Sequence, residues 1–130
     1  PLVSEHCAHL VAALERHEAL RGLESMLRSG GTLAFYDTVL QPLTVRLGEE
    51  PEVSLARLEE AAARLPATLV RVADPALPNP KMQNLAVLAA IIKRRLLPGV
   101  SAEHVEAALT DLLDGPKLDA NLQYFRGKLA

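Results

Sequence analysis

The sequence predicts an α/β fold: a mainly parallel sheet flanked by helices in a Rossmann-like, three-layer arrangement, with a helical C-terminal third. Three observations carry that prediction. Short apolar runs of β-type composition alternate with longer stretches whose apolar residues recur at intervals of three and four. Proline or glycine marks most of the junctions. Beyond about Asn84 only the helical period remains.

Ala8 to Leu14 (AHLVAAL) is short and abruptly bounded, so it reads as a buried parallel strand. From His17 to Leu27, Leu20, Leu23, Met26 and Leu27 share one helical face, and Gly30-Gly31 is expected to stop that helix. Thr32 to Tyr36 (TLAFY) returns to strand composition, and the β-α-β order predicts two parallel strands joined by a right-handed crossover. After Pro42, Thr44 to Leu47 alternates in strand fashion. Ser54 to Leu65 carries Leu55, Leu58, Ala62 and Leu65 on one stripe with charges opposite, started by Ser54 or Glu52 and ended by Pro66. Ala67 to Ala73 (ATLVRVA) is a further strand.

Three prolines and an asparagine in Asp74 to Pro80 exclude regular structure there, and helical composition then runs to Leu97. The middle of that helix, Leu85 to Ile92, is apolar all round, so it is expected to be buried on most sides and to meet a partner chain. Ser101, with Glu103 and Glu106 behind it, opens a helix through Leu113. Asp114-Gly115-Pro116 breaks it, and Leu122, Phe125 and Leu129 give the tail from Leu118 a terminal helix.

A length of 130 residues fits one domain spanning 1–130. Hydrophobic residues at 49% and charged residues at 23% are ordinary for a globular core. A net charge of -2 gives no pull toward nucleic acid or anionic lipid, so neither is expected as a partner. Cys7 is the only cysteine, which excludes an intrachain disulfide and a cysteine cluster site. With no run long enough to span a membrane and no signal-like opening, a cytoplasmic setting is expected.

Three blocks in order, HEALRGLESMLRSGGTL, TVRLGEEPEVSLARLEEAAARL and NPKMQNLAVLAAIIKRRLLPGVSAEHVEAALTDLL, resemble the gamma domain or subunit of 2-oxoacid:acceptor oxidoreductases of the pyruvate and indolepyruvate ferredoxin type. Glu18, Ala19 and Leu20 with Gly30, Gly31 and Thr32 resemble the family's strand–helix–strand centre. Asn79 and Pro80 ahead of Asn84 match the entry to its buried helix, and Asn121 with Phe125 its terminal arrangement. The family's opening Gly-x-Gly-Gly-Gln-Gly turn and its Arg-Gly-Gly segment do not occur, so the resemblance is to the C-terminal part of that domain. Ala89 stands where the family usually has glycine.

The resemblance implies a complex that oxidatively decarboxylates a 2-oxoacid to an acyl-coenzyme A. Thiamine diphosphate, iron–sulfur clusters and coenzyme A would be handled mostly by other domains or subunits, with no cofactor bound by this chain. It would be a non-cofactor gamma-type component, inactive alone, whose partners are other oxidoreductase subunits or a second copy. A stand-alone interaction module of the same fold and a helical small-molecule-binding regulatory domain are the alternatives.

Ligands of open parallel sheets lie beyond the carboxyl ends of strands, so the residues after each strand are the candidates for substrate or partner contact. These are Glu15 and His17, with Arg16 between them, then Asp37 beside Thr38, and then Asp74 and Asn79. Asn84, near the start of the apolar helix, joins them, although capping accounts for Asp and Asn equally well. His6, Cys7 and His9 lack a third convergent ligand, and no metal site or catalytic residue is assigned. Lys93, Arg94 and Arg95 suit a helix C-terminus, with a coenzyme A phosphate as the alternative contact.

Overall fold

The computed structural model describes residues 2–39, 46–48 and 51–130. The chain divides into two compact units, Pro1–Ala73 and Asp74–Ala130. The first holds a parallel sheet of three strands, β1 (Ala8–Ala13), β2 (Leu27–Tyr36) and β3 (Thr68–Val72), in the order β1-β2-β3. This is the expected sheet, and it removes the purely helical alternative. The alternation read over Thr44 to Leu47 lies largely outside the described residues; Arg46 is helical, and Leu47 and Gly48 form a turn.

Helix α1 (Arg16–Arg21) runs on through a π-helical turn, Gly22–Met26, and joins β1 to β2. Its wider turn begins at Gly22, where a Cβ would lie 2.7 Å from Val11 Cγ1, so the missing side chain lets the helix approach the strand. Helix α2 (Leu55–Arg64) is capped by Ser54, whose hydroxyl accepts from the Arg57 amide at 3.2 Å. Ser54, rather than Glu52, therefore starts it. Strand alternation turns Val11, Ala13, Leu33, Phe35 and Leu69 toward one face, where they pack with Ala19, Leu23, Leu58 and Ala62 of the helices. Leu27, Leu33, Phe35 and Leu58 are completely buried, each contributing roughly 1.5 to 3 kcal/mol of transfer free energy.

Gly30-Gly31 does not end α1, as the sequence suggested. The helical turns end at Met26, Leu27 is already extended, and both glycines lie inside β2. There the register slips: Ala8 faces Leu27, but Leu10 faces Thr32. Gly30 takes the positive φ of 75° that the bulge needs. A Cβ on Gly31 would meet Leu27 Cδ1 at 2.7 Å and the Arg28 carbonyl oxygen at 3.0 Å. Gly31→Ala is therefore expected to destabilise by about 1 to 3 kcal/mol in urea unfolding, because Leu27 is fully buried and cannot swing away. Wild-type stability in that variant would be incompatible with the bulge.

In the second unit, a 3-10 turn (Pro80–Met82) leads into α3 (Gln83–Lys93), followed by α4 (Ala102–Leu112) and α5 (Gly115–Leu129). The His104 ring accepts from the Ser101 amide at 3.0 Å and closes the start of α4. Pro116 sits in the first turn of α5, so the helix begins three residues before Leu118. Met82, Leu85, Ala89, Val105 and Phe125 form this unit's core. Leu85, Ala86, Val87, Ala89 and Ile91 of α3 are all at most 4% exposed in the single chain. Leu85 and Ala89 give α3 its share of that core, with Leu88 and Ile92 packed against it.

Candidate functional site

The parallel register brings the ends of β1, β2 and β3 to one edge of the sheet. Asp37 follows β2, and its amide continues the ladder by donating to the Val72 carbonyl at 2.7 Å. The Arg16 amide donates to the Thr38 carbonyl at 2.9 Å and ties the turn after β1 to the turn after β2.

Between these turns lies a charge cluster. Arg16 Nε donates to Asp37 Oδ1 at 2.6 Å, and Arg71 Nε donates to Asp37 Oδ2 at 2.6 Å. The second arginine reaches the carboxylate from β3, where Arg71 stands opposite Phe35. Asp37 keeps only 3% of its side-chain surface, whereas Arg71 keeps 54%. Burial alone would raise the Asp37 pKa, but the hydrogen bonds and charges of Arg16 and Arg71 outweigh it and hold the carboxyl below its ordinary value. Arg16 also reaches the Val53 carbonyl, anchoring the segment that precedes α2.

Glu15 and His17 flank Arg16 but act differently. Glu15 is buried and caps α1, its carboxylate accepting from the amides of Glu18 and of His17, the latter at 2.9 Å. Its charge is thereby used at the helix start. His17 Nε2 is buried without a hydrogen-bond partner, the one such side-chain atom among the described residues.

The other three candidates belong to the second unit, where each has local partners. Asp74 Oδ2 accepts from Tyr124 at 2.7 Å and pairs with Lys128 at 2.6 Å, while Oδ1 accepts from the Ala76 amide at 3.0 Å. Lys128 first, and then Tyr124, hold its carboxyl below the ordinary range. Asn79 caps the 3-10 turn through the Lys81 amide, at 2.9 Å, and Asn84 Oδ1 accepts from the Leu85 amide at 2.8 Å. Lys93 donates to the carbonyls of Lys128 and Ala130, which is the structural reading of the basic cluster. Arg94 and Arg95 are exposed, and Arg95 lines an open pocket with Ile92, Leu97 and Val100.

At the amino end of the sheet, His6 Nδ1 contacts the Leu27 carbonyl oxygen and His9 Nε2 contacts Arg28. Among the described residues, no three His, Cys, Asp or Glu side chains converge, and Cys7 is exposed. An iron–sulfur cluster does not fit this donor set, since its usual ligation takes several thiolates. No helix among the described residues is long and apolar enough to cross a membrane.

Sequence reading missed Arg71. The available signal was a lone cation in an otherwise apolar strand, TLVRV, where a charge needs a partner or open solvent.

A parallel sheet with helices, a helical C-terminal part and polar groups gathered at the carboxyl strand ends defines an α/β domain. The chain belongs to the pyruvate ferredoxin/flavodoxin oxidoreductase family, whose model matches residues 2–127. No curated protein and no solved structure matches it.

Proposed function

We propose that this chain is the gamma-type component of a 2-oxoacid:acceptor oxidoreductase acting on pyruvate, indolepyruvate or a similar 2-oxoacid. The family match over residues 2–127 carries the reading. The chain contributes a folded surface to the complex, and thiamine diphosphate, the iron–sulfur clusters and coenzyme A are handled by other domains or subunits. Two features support that division of labour. Cys7 is the sole cysteine, too few for a cluster. The candidate acids that follow the strands are engaged in caps and ion pairs with this chain's own groups.

The purified chain, given thiamine diphosphate, coenzyme A, a 2-oxoacid and a dye acceptor, is expected to reduce no dye, whereas the complex assembled with its companion subunits does so. Turnover by the chain alone would defeat the supporting role, and an assembled complex inactive toward every 2-oxoacid would defeat the assignment.

A further inference from the structure

We propose that the cup between the end of α3 and the start of α4 binds a small monocarboxylic acid with an apolar tail. Arg95 takes the carboxylate, and Ile92, Leu97, Pro98 and Val100 take the tail. Such a site is additional to the gamma-type role and does not depend on it.

The backbone gives the first reason. At the C-terminus of α3 the Arg95 amide donates to the Ile92 carbonyl and the Leu96 amide to the Ile91 carbonyl, both at 3.0 Å. This pair of bonds turns the residue after the C-cap into the left-handed region, where glycine is usual because a Cβ crowds the next carbonyl. Here that residue is Arg95, at a φ of 54°. A cation that only complemented the helix dipole could stand at Lys93 or Arg94, both already basic and neither at positive φ. The chain thus keeps a long charged side chain where its backbone favours none, and strain of this kind points to a use for that side chain.

The side chain gives the second reason. Arg95 lines an open cup of about 560 Å³ and is the one charged residue among the described residues that do so. Its guanidinium has no hydrogen-bond or ion-pair partner among them, whereas Arg16, Arg57, Arg71 and Arg126 each hold a carboxylate of this chain. The walls beside it are apolar: Leu97 and Val100 are 41% and 37% exposed, Pro98 is exposed, and the half-buried Ile92 contributes from α3. Small-molecule sites combine such a lining with a few polar groups that fix orientation.

These features select the class of ligand. A planar guanidinium forks onto a carboxylate through two parallel hydrogen bonds. One cation balances one negative charge, so a monoanion suits the cup better than a phosphate dianion, which draws on several cations or a row of backbone amides. The apolar walls then favour an acid with an aliphatic tail over one with a bare methyl group.

Titration of the full chain with isovalerate, followed through amide chemical shifts by two-dimensional NMR, tests the site. Shifts at Arg95, Leu97 and Val100 should saturate in the low millimolar range. Acetate, which lacks the tail, and isovaleramide, which lacks the charge, should each bind about tenfold more weakly or worse. Arg95→Gly should lose binding by the same factor and yet raise the thermal midpoint by about 2 to 5 °C, because glycine accepts the left-handed backbone. Lost binding paired with gained stability is not the behaviour of a structural arginine. The site is overturned by the absence of saturable shifts, by equal affinity for isovaleramide, or by equal affinity for acetate or inorganic phosphate, which would mean an adventitious ion only. An Arg95→Gly variant that binds like wild type, or that does not melt higher, would overturn it as well.

Discussion

Phe125→Ala is expected to destabilise the helical unit by about 3 to 5 kcal/mol, the usual cost of emptying a large aromatic site in a packed core. Phe125 is fully buried on α5, in a cluster with Met82, Leu85 and Ala89 from the α3 segment and Val105 from α4. One side chain thus holds three helices together. Phe125→Leu, which keeps most of the volume, should cost about 1.5 kcal/mol or less. Urea unfolding followed by far-UV circular dichroism separates the two, and equal losses below about 1 kcal/mol would show that Phe125 is not the centre of this core.

Much of this architecture was legible because period and length both spoke for it. β1, α2 and β3 lie within a residue or two of where alternation and the apolar stripe put them. The α1–β2 junction was misread for a definite reason: glycine at positive φ serves a helix C-terminus and a strand bulge alike, so Gly30-Gly31 carries the same signature in either role. Likewise, an all-round apolar helix declares that it is covered, but not by what, and α3 gives Leu85 and Ala89 to the core of its own unit.

The carboxyl-edge cluster shows a second limit. Strand ends could be named from sequence, and Asp37 with them, but its partner Arg71 lies 34 residues away and becomes a neighbour only through the β2–β3 register. Residue types announced a polar edge. Which charges meet there was decided by pairing of backbones.

Removing that carboxylate should be the most damaging single change in the first unit outside its apolar core. In Asp37→Ala, the guanidiniums of Arg16 and Arg71 converge on nothing and lose charge-assisted hydrogen bonds at 2.6 Å. Breaking one side of a buried ion network typically costs 3 to 5 kcal/mol; here Arg71 can turn into water, so about 3 kcal/mol is expected. The effect has a pH signature. Asp37 titrates lower in the folded chain than in the unfolded one, where its pKa is about 3.9. Its ionised form therefore contributes stability that is fully present above the unfolded value and fades as pH falls through the folded one. Asp37→Asn, which keeps the shape without the charge, should be less stable than wild type by a constant amount from neutrality down to about pH 5, and the gap should narrow in stronger acid. Urea unfolding of both proteins across that range isolates this one group, because the other carboxylates are common to the pair. A gap that stays unchanged down to the most acidic pH at which both remain folded would mean that the Arg16–Asp37–Arg71 cluster contributes through packing and not through charge.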